Sequence, residues 1–208
     1  MQVTTYEPDT TPPSNVQFTV LDIDAGILQI RTQESLSINV NIQGITLQQY
    51  KSGRENYTLI NREISYVDEL DKREVRIIIS DEDLQTIKLN RNLGSSGASS
   101  FLVLEAATLQ DTAFNPIAAI HSATAIPVDT TGFVGDTTPP RLVQFDLDMN
   151  AGILVATFDD IVLSPLKLPE YLFLGVQMPM KMQHTSSILA LPTVVTDLKY
   201  QSRFQLLT

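Results

Sequence analysis

The chain repeats part of its own sequence, and this repeat constrains the fold more than any other feature. The pentapeptide DTTPP occurs at residues 9–13 and again 127 residues later, at 136–140. VQFTVLDIDAGIL follows the first copy closely, and VQFDLDMNAGIL, one residue shorter, follows the second. A period of this length is far longer than the roughly 20–50 residues of solenoid repeats. We therefore predict tandem whole domains.

The positions of the two repeats predict that the chain has three parts. Residues 1–8 form the terminal strand and linker of a preceding repeat, 9–135 a complete domain, and 136–208 a partial second domain. The second copy stops at Thr208, where the first continues, and EVRIIIS at 74–80 weakly matches SRFQLLT at 202–208. Two explanations stay open: the chain is an excerpt of a longer array, or neighbouring chains complete the broken domain, with residues 1–8 as the donated strand.

Apolar and polar residues alternate along much of the chain, which is typical of half-buried strands. Alternation predicts strands around 16–20, 28–30 and 36–42, and the short apolar runs at 74–79 and 101–104 predict sandwich-core strands. Ala25-Gly26 and Ala151-Gly152 are expected hairpin turns. Ser80 to Lys88 predicts the one helix, with Ser80 as N-cap and acids in its first turn. Residues 92–100 are expected to be a flexible loop.

Two prolines at each junction predict a short, semi-rigid linker between domains, because proline fixes φ and favours an extended path. The linker residues are Thr10, Thr11, Pro12, Pro13, Thr137, Thr138, Pro139 and Pro140.

Together with LQDTAFNPI at 109–117, these elements resemble the immunoglobulin-like repeats of large surface, adhesin and fibril proteins. The resemblance covers about residues 9–162 and implies an all-β fold of tandem immunoglobulin-like β-sandwiches with one short helix per repeat. It also implies an extracellular or cell-surface protein with a structural or adhesive role. The first eight residues lack the basic and apolar parts of a signal peptide, so a mature, cropped or cytosolic chain stays open.

Carboxylates near the domain junctions are candidate calcium ligands, since calcium takes six to eight oxygens. Solvated turn-capping aspartates are the alternative. The candidates are Asp9, Asp22, Asp24, Asp111, Asp136 and Asp148, with Asp146 and Asn150 as further oxygen donors.

The chain has one N-glycosylation sequon, Asn56-Tyr57-Thr58, which would carry a glycan only if the protein is secreted. Threonines beside the linker prolines are candidates for O-glycans. The Met178-Pro179-Met180-Lys181-Met182 run offers soft sulfur ligands, but a packing or subunit-contact face explains it better.

Composition argues against catalysis and nucleic-acid binding. The chain has no cysteine, two histidines and no Gly-x-Ser-x-Gly elbow, and its Gly94–Gly97 loop lacks the lysine of a phosphate-binding loop. The net charge of −10 does not suit phosphate contacts, and no apolar run is long enough to span a bilayer.

We therefore expect a non-catalytic structural subunit of an extracellular fibril or surface filament, partnered by copies of itself. The alternatives are an adhesin or receptor stalk that binds a glycan or protein through a loop such as 92–100, and a carbohydrate-binding accessory module.

Overall fold

The structure, a computed structural model, describes residues 5–51, 53–60, 62–150, 153–162 and 180–184. It divides the chain into two compact units, Met1–Thr138 and Pro139–Thr208. The two units are mostly β-sheet, with one α-helix in the described residues. The expected turn at Ala151-Gly152, Met178-Pro179 and the SRFQLLT segment lie outside the described residues.

Unit 1 contains two sheets. The five-stranded sheet has the order β5-β6-β2-β1-β9, and the four-stranded sheet has the order β4-β3-β7-β8. Their strands are β1 Gln17–Asp22, β2 Ile27–Arg31, β3 Ile45–Gln48, β4 Asn56–Thr58, β5 Arg62–Tyr66, β6 Glu74–Ile79, β7 Phe101–Leu104, β8 Ile126–Pro127 and β9 Phe133–Val134. Helix α1, Asp81–Leu89, follows β6, and three 3-10 turns lie at Ile42–Gly44, Gly97–Ser99 and Ser122–Thr124.

One hydrophobic core joins both sheets of unit 1. Leu28 and Ile30 of β2 and Ile77 of β6 come from the first sheet, and Leu47 of β3 and Leu102 of β7 come from the second. All are buried, which fits a β-sandwich whose alternate side chains face inwards. The predicted strands at 28–30, 74–79 and 101–104 are confirmed.

Strand β1 contains a β-bulge that the alternation did not predict. Phe18 pairs with Ile30 and Val20 with Gln29 across β1 and β2, so Thr19 is an extra residue. A bulge inserts one residue and resets which side chains face the core. Phe18 and Leu21, three residues apart, are therefore both buried, at 2% and 0% exposure.

The strand predicted at 36–42 is wrong. Leu36 makes only an isolated bridge with Asp111, and Ile42 begins a 3-10 turn. The Val40 N–H donates to the Ile38 carbonyl, which turns the chain within three residues and leaves Ile38 exposed. Alternating apolar residues here line an irregular connection, because this local turn lies between single bonds to distant loops, from the Ser37 N–H to the Gln110 carbonyl and from the Asn41 N–H to the Thr108 carbonyl.

The predicted helix and first hairpin turn are confirmed. The Ser80 side chain caps α1 by accepting a hydrogen bond from the Asp83 N–H, and the first turn holds three acids. Gly26 closes the β1–β2 turn with φ of +66°, a conformation that favours glycine.

Unit 2 contains one described sheet, with the order β10-β11-β12. Its strands are β10 Leu142–Asp148, β11 Ile153–Phe158 and β12 Met180–His184. β10 and β11 pair antiparallel, and β12 pairs parallel with β11. β10 is thus an edge strand of this sheet.

Candidate functional site

The end of unit 1 is tied to the β1–β2 turn by Asp24. Asp24 Oδ1 accepts hydrogen bonds from the Thr137 N–H at 3.2 Å and the Thr138 N–H at 3.0 Å, and the Thr137 hydroxyl donates to Oδ2 at 3.2 Å. Bonds from the Thr138 hydroxyl and these two N–H groups lower the pKa of Asp24 to about 2. Asp24 therefore acts as a capping carboxylate for the predicted linker.

An ion pair adds a second attachment at the same place. Lys88, in the last turn of α1, lies with its Nζ 3.2 Å from Asp136 Oδ2. The Lys88 side chain is nearly buried, so its charge is held against the protein surface. We call Asp24, Lys88, Asp136, Thr137 and Thr138 the linker clamp. It fixes the start of the second DTTPP segment to unit 1.

Two of the predicted calcium ligands come together, and a third carboxylate joins them. Asp9 and Asp111 lie with Glu34 so that one oxygen of each is within 4.8 Å of the others. Burial alone would raise the pKa of Asp111, but hydrogen bonds from Asn115 and from the Ala113 and Phe114 N–H groups lower it. These bonds hold the carboxylate in place without a cation. Glu34 was missed because nothing in the sequence near it marks a ligand.

The other predicted ligands have separate roles. Asp22 Oδ1 accepts from the Ala25 N–H and Asp148 Oδ1 from the Asn150 N–H, so each caps its own hairpin turn. Asp24 and Asp136 belong to the linker clamp. The six residues thus do not form one site, and calcium binding stays a prediction.

The first DTTPP segment is held differently from the second. Asp9 Oδ1 accepts the Thr11 N–H at 3.0 Å, and the Asp9 carbonyl accepts from the Asn115 side chain. Thr10 and Thr11 are exposed, whereas Pro13 is buried. The Asp9 carbonyl and the buried Pro13 therefore anchor the first linker to unit 1, and Thr10 and Thr11 stay on the surface.

Asp83 is a buried acid whose role the sequence did not indicate. It accepts a hydrogen bond from the Tyr57 hydroxyl at 2.7 Å and from the Ile60 N–H at 3.1 Å. Burial and the bond to Asp83 raise the pKa of Tyr57 to about 12. Asp83 thus ties α1 to β4. The only sequence signal was its place three residues after the Ser80 cap, where exposed acids are also common.

The glycan sequon lies on the surface. Asn56 is exposed in β4, which is an edge strand of the four-stranded sheet. Its side-chain amide donates to the Gly53 carbonyl at 3.0 Å. The geometry leaves the asparagine accessible, and glycosylation stays a prediction.

The predicted ligand loop is partly packed and partly exposed, with Asn92, Ser95, Ser96 and Ala98 on the surface. Within 92–100, Leu93, Ser99 and Ser100 are buried. The Ser99 hydroxyl pairs with that of Ser96 at 2.8 Å, and the Ser100 hydroxyl donates to the Ser96 carbonyl. These hydroxyls bond to one another and to the backbone of the same loop, and ligand binding by the loop stays a prediction.

A shallow cleft of about 580 Å³ lies elsewhere on unit 1. Amide side chains and two isoleucines line much of it; they are Asn39, Asn41, Gln43, Gln110, Ile42 and Ile60. Amides offer both donors and acceptors, so the cleft suits a neutral polar ligand.

A surface feature of the described part of unit 2 is the apolar face of β10. Val143, Phe145 and Leu147 of β10 and Met149, which follows the strand, are all exposed, Phe145 by 62% and Leu147 by 47%. In the repeat, three of these positions correspond to Phe18, Leu21 and Ile23, which are buried in unit 1. A core pattern is thus left uncovered in the described part of unit 2.

Comparisons with protein families, with curated proteins and with solved structures find no match. In the described residues, no helix has the length and apolar character needed to cross a bilayer.

Proposed function

We propose that the chain is a non-catalytic structural subunit of an extracellular fibril or surface filament built from tandem immunoglobulin-like β-sandwich domains. The observation that carries this proposal is the exposed apolar face of β10. Exposed apolar patches with a core-like pattern mark surfaces that a partner covers. A chain that repeats its own domain offers a matching partner in another copy of itself.

The linker clamp supports a mechanical role. Asp24 and Lys88 hold residues 136–138 against unit 1, so the attachment point of the following segment is fixed rather than free. Proline adds stiffness immediately afterwards, at Pro139 and Pro140. Domains in series on stiff attachments transmit force and extend reach, which is what a filament requires.

Self-association of the full chain tests the proposal. We expect the mass from light scattering to rise between about 1 μM and about 1 mM, the range in which weak interfaces become populated, and electron microscopy to show linear assemblies. Phe145→Asp should suppress association, because it places a charge on the apolar face of β10. Leu70→Asp is the control, since Leu70 is an equally apolar residue, 97% exposed, in unit 1. A chain that stays monomeric throughout would refute the proposal.

A second candidate function, an adhesin or receptor stalk that binds a glycan, is favoured by the amide-lined cleft of unit 1. Amides can bond sugar hydroxyls while the exposed Ile60 contacts the apolar face of a ring. A panel of neutral oligosaccharides titrated into the labelled chain would shift the Asn41 and Gln110 amide resonances. Asn41→Ala should abolish the shifts, whereas Asn92→Ala, at an exposed asparagine outside the cleft, should leave them unchanged.

A further inference from the structure

In unit 1, the edge of β1 is closed by a short parallel strand. β9 pairs with β1 so that Leu21 lies opposite Phe133 and Asp22 opposite Val134. The Leu21 N–H donates to the Gly132 carbonyl and the Ile23 N–H to the Val134 carbonyl, both at 2.9 Å. Two alternate N–H groups at the end of β1 therefore find their acceptors in β9 and the residue before it.

In unit 2, the corresponding edge carries no strand in the described residues. β10 and β11 pair in the register of β1 and β2: Leu147 lies opposite Leu154 as Leu21 lies opposite Leu28. The N–H groups of Leu147 and Met149 therefore point to the open edge of β10, as those of Leu21 and Ile23 point to β9. An unpaired edge of this kind accepts an added strand.

A second segment of the chain stands in the same position before a DTTPP sequence as β9 does. When the two DTTPP segments are aligned, Tyr6-Glu7 falls opposite Phe133-Val134. Phe133 packs against the core of unit 1, whereas Tyr6 is 81% exposed and belongs to no strand. Tyr6 is thus an aromatic residue that aligns with the core-contacting Phe133, but it pairs with no strand.

The bulge residue Thr19 indicates that Tyr6-Glu7 fits the edge of β10 rather than the edge of β1. A side chain at Gly132 would overlap the carbonyl oxygen of Thr19, so β9 needs glycine there. The residue aligned with Gly132 is Thr5, which could not lie against β1 in this way. β10 has no counterpart of Thr19, because Phe145 and Leu147 enclose a single residue, Asp146; its own register shift lies earlier, between Leu142 and Gln144. Without a bulge beside Leu147, the obstacle to threonine is absent.

We propose that Tyr6-Glu7 of one copy adds to β10 of a second copy as a parallel strand, with Tyr6 opposite Leu147 and Glu7 opposite Asp148. The Leu147 and Met149 N–H groups then donate to the carbonyls of Thr5 and Glu7. Asn150 takes the place of Asp24: its side-chain oxygen accepts from the Thr10 N–H and its side-chain NH₂ donates to the Thr10 hydroxyl, while the Thr11 N–H keeps its bond to Asp9 Oδ1. This inference rests on the proposed self-assembly and gives it a register and a direction, head to tail.

Cysteine pairing tests the register, because the chain has no cysteine of its own. Glu7→Cys and Asp148→Cys are made in separate, differently tagged full-length chains, which are mixed and oxidised with copper phenanthroline. Cross-strand partners lie close enough for a disulfide, so we expect a mixed disulfide dimer. Asp146→Cys, on the same exposed strand but two residues out of register, is the matched control and should give far less dimer. Asp22→Cys with Val134→Cys in one chain checks that the parallel geometry allows the bond.

Tyr6→Asp adds a test that leaves the fold intact, since Tyr6 is exposed. It should weaken association about tenfold or more, whereas Tyr50→Asp, at another exposed tyrosine, should not. Equal dimer yields from Asp146→Cys and Asp148→Cys would overturn the register. Self-association without any disulfide, or with no effect of Tyr6→Asp, would overturn the strand addition while the filament proposal stands. Absence of self-association would overturn both.

Discussion

The β1–β2 and β10–β11 hairpins have similar sequences and the same pairing register, but their apolar residues lie in opposite surroundings. Phe18 and Leu21 are buried, whereas Phe145 and Leu147 are largely exposed. The hairpin itself does not bury its apolar face. In unit 1 that face is covered by the sheet of β3 and β7, and its edge is closed by β9. The sequence of a hairpin thus determines how its two strands pair, whereas the neighbouring elements determine whether its apolar face is buried.

The largest expected effect comes from removing the same side chain in the two hairpins. Leu21→Ala should lower the free energy of unfolding of unit 1 by about 2–5 kcal/mol, because it leaves a cavity in the core. Leu147→Ala, measured in urea at concentrations where the chain is monomeric, should cost about 0.5 kcal/mol or less. Similar costs at the two positions would show that the β10 face is covered within the chain.

In unit 1 the second sheet covers the β1–β2 hairpin, and Asp83 helps to hold that sheet. Asp83→Ala leaves the Tyr57 hydroxyl and the Ile60 N–H without their buried acceptor. The free energy of unfolding should fall by about 2 kcal/mol or more. Asp81→Ala, at an exposed acid in the same helical turn, should change it by less than about 0.5 kcal/mol. Equal effects would mean that the Asp83 bonds do not stabilise the sheet.

The position of the bulge also differs between the hairpins: it lies at Thr19 in β1, whereas the register shift of β10 lies between Leu142 and Gln144. Gly132→Ala brings a methyl group against the Thr19 carbonyl oxygen and should cost about 1–3 kcal/mol. Gly135→Ala is the control, because its methyl group would make ordinary contacts with the Phe133 ring. Deleting Thr19 together with Gly132→Ala should recover part of the loss. Additive losses in the double variant would contradict this account of the bulge.

The smallest effect concerns the linker clamp. The pKa of Asp24 is lowered from 3.8 to about 2, so the charged form is favoured in the folded state. The clamp should therefore be intact above pH 4 and be lost as the pH falls through about 2. The Thr137 and Thr138 amide resonances, followed by NMR, should move with this midpoint. A midpoint near 4 would show that Asp24 is not held by these bonds.

Local features were predictable from the sequence, and longer-range ones were not. Ser80 and the acids after it marked α1, and Gly26 marked its turn, because caps and turns depend on adjacent residues. The alternation at 36–42 misled, since Ile38 lies at a turn whose backbone bonds are local. The bulge at Thr19 was visible only as the residue missing from the second copy.

The candidate site was predictable only in pieces. Their position near the domain junctions predicts Asp9 and Asp111 as ligands, but the proximity of Glu34 depends on the fold bringing distant loops together. The same pattern predicts Asp24 as a metal ligand, yet Asp24 binds the linker threonines, because an aspartate accepts N–H groups as readily as it binds cations. Whether the β10 face is buried depends on what packs against it, and no pattern within β10 indicates that.

Amide hydrogen exchange tests the central claim most directly. The Leu21 and Ile23 amides should be protected at every protein concentration, because β9 accepts them within the chain. The Leu147 and Met149 amides should exchange fast in dilute solution and become protected as the protein concentration rises. In the Tyr6→Asp variant, this protection at high concentration should be lost. Protection of the Leu147 and Met149 amides that is independent of concentration, or that never appears, would contradict the account.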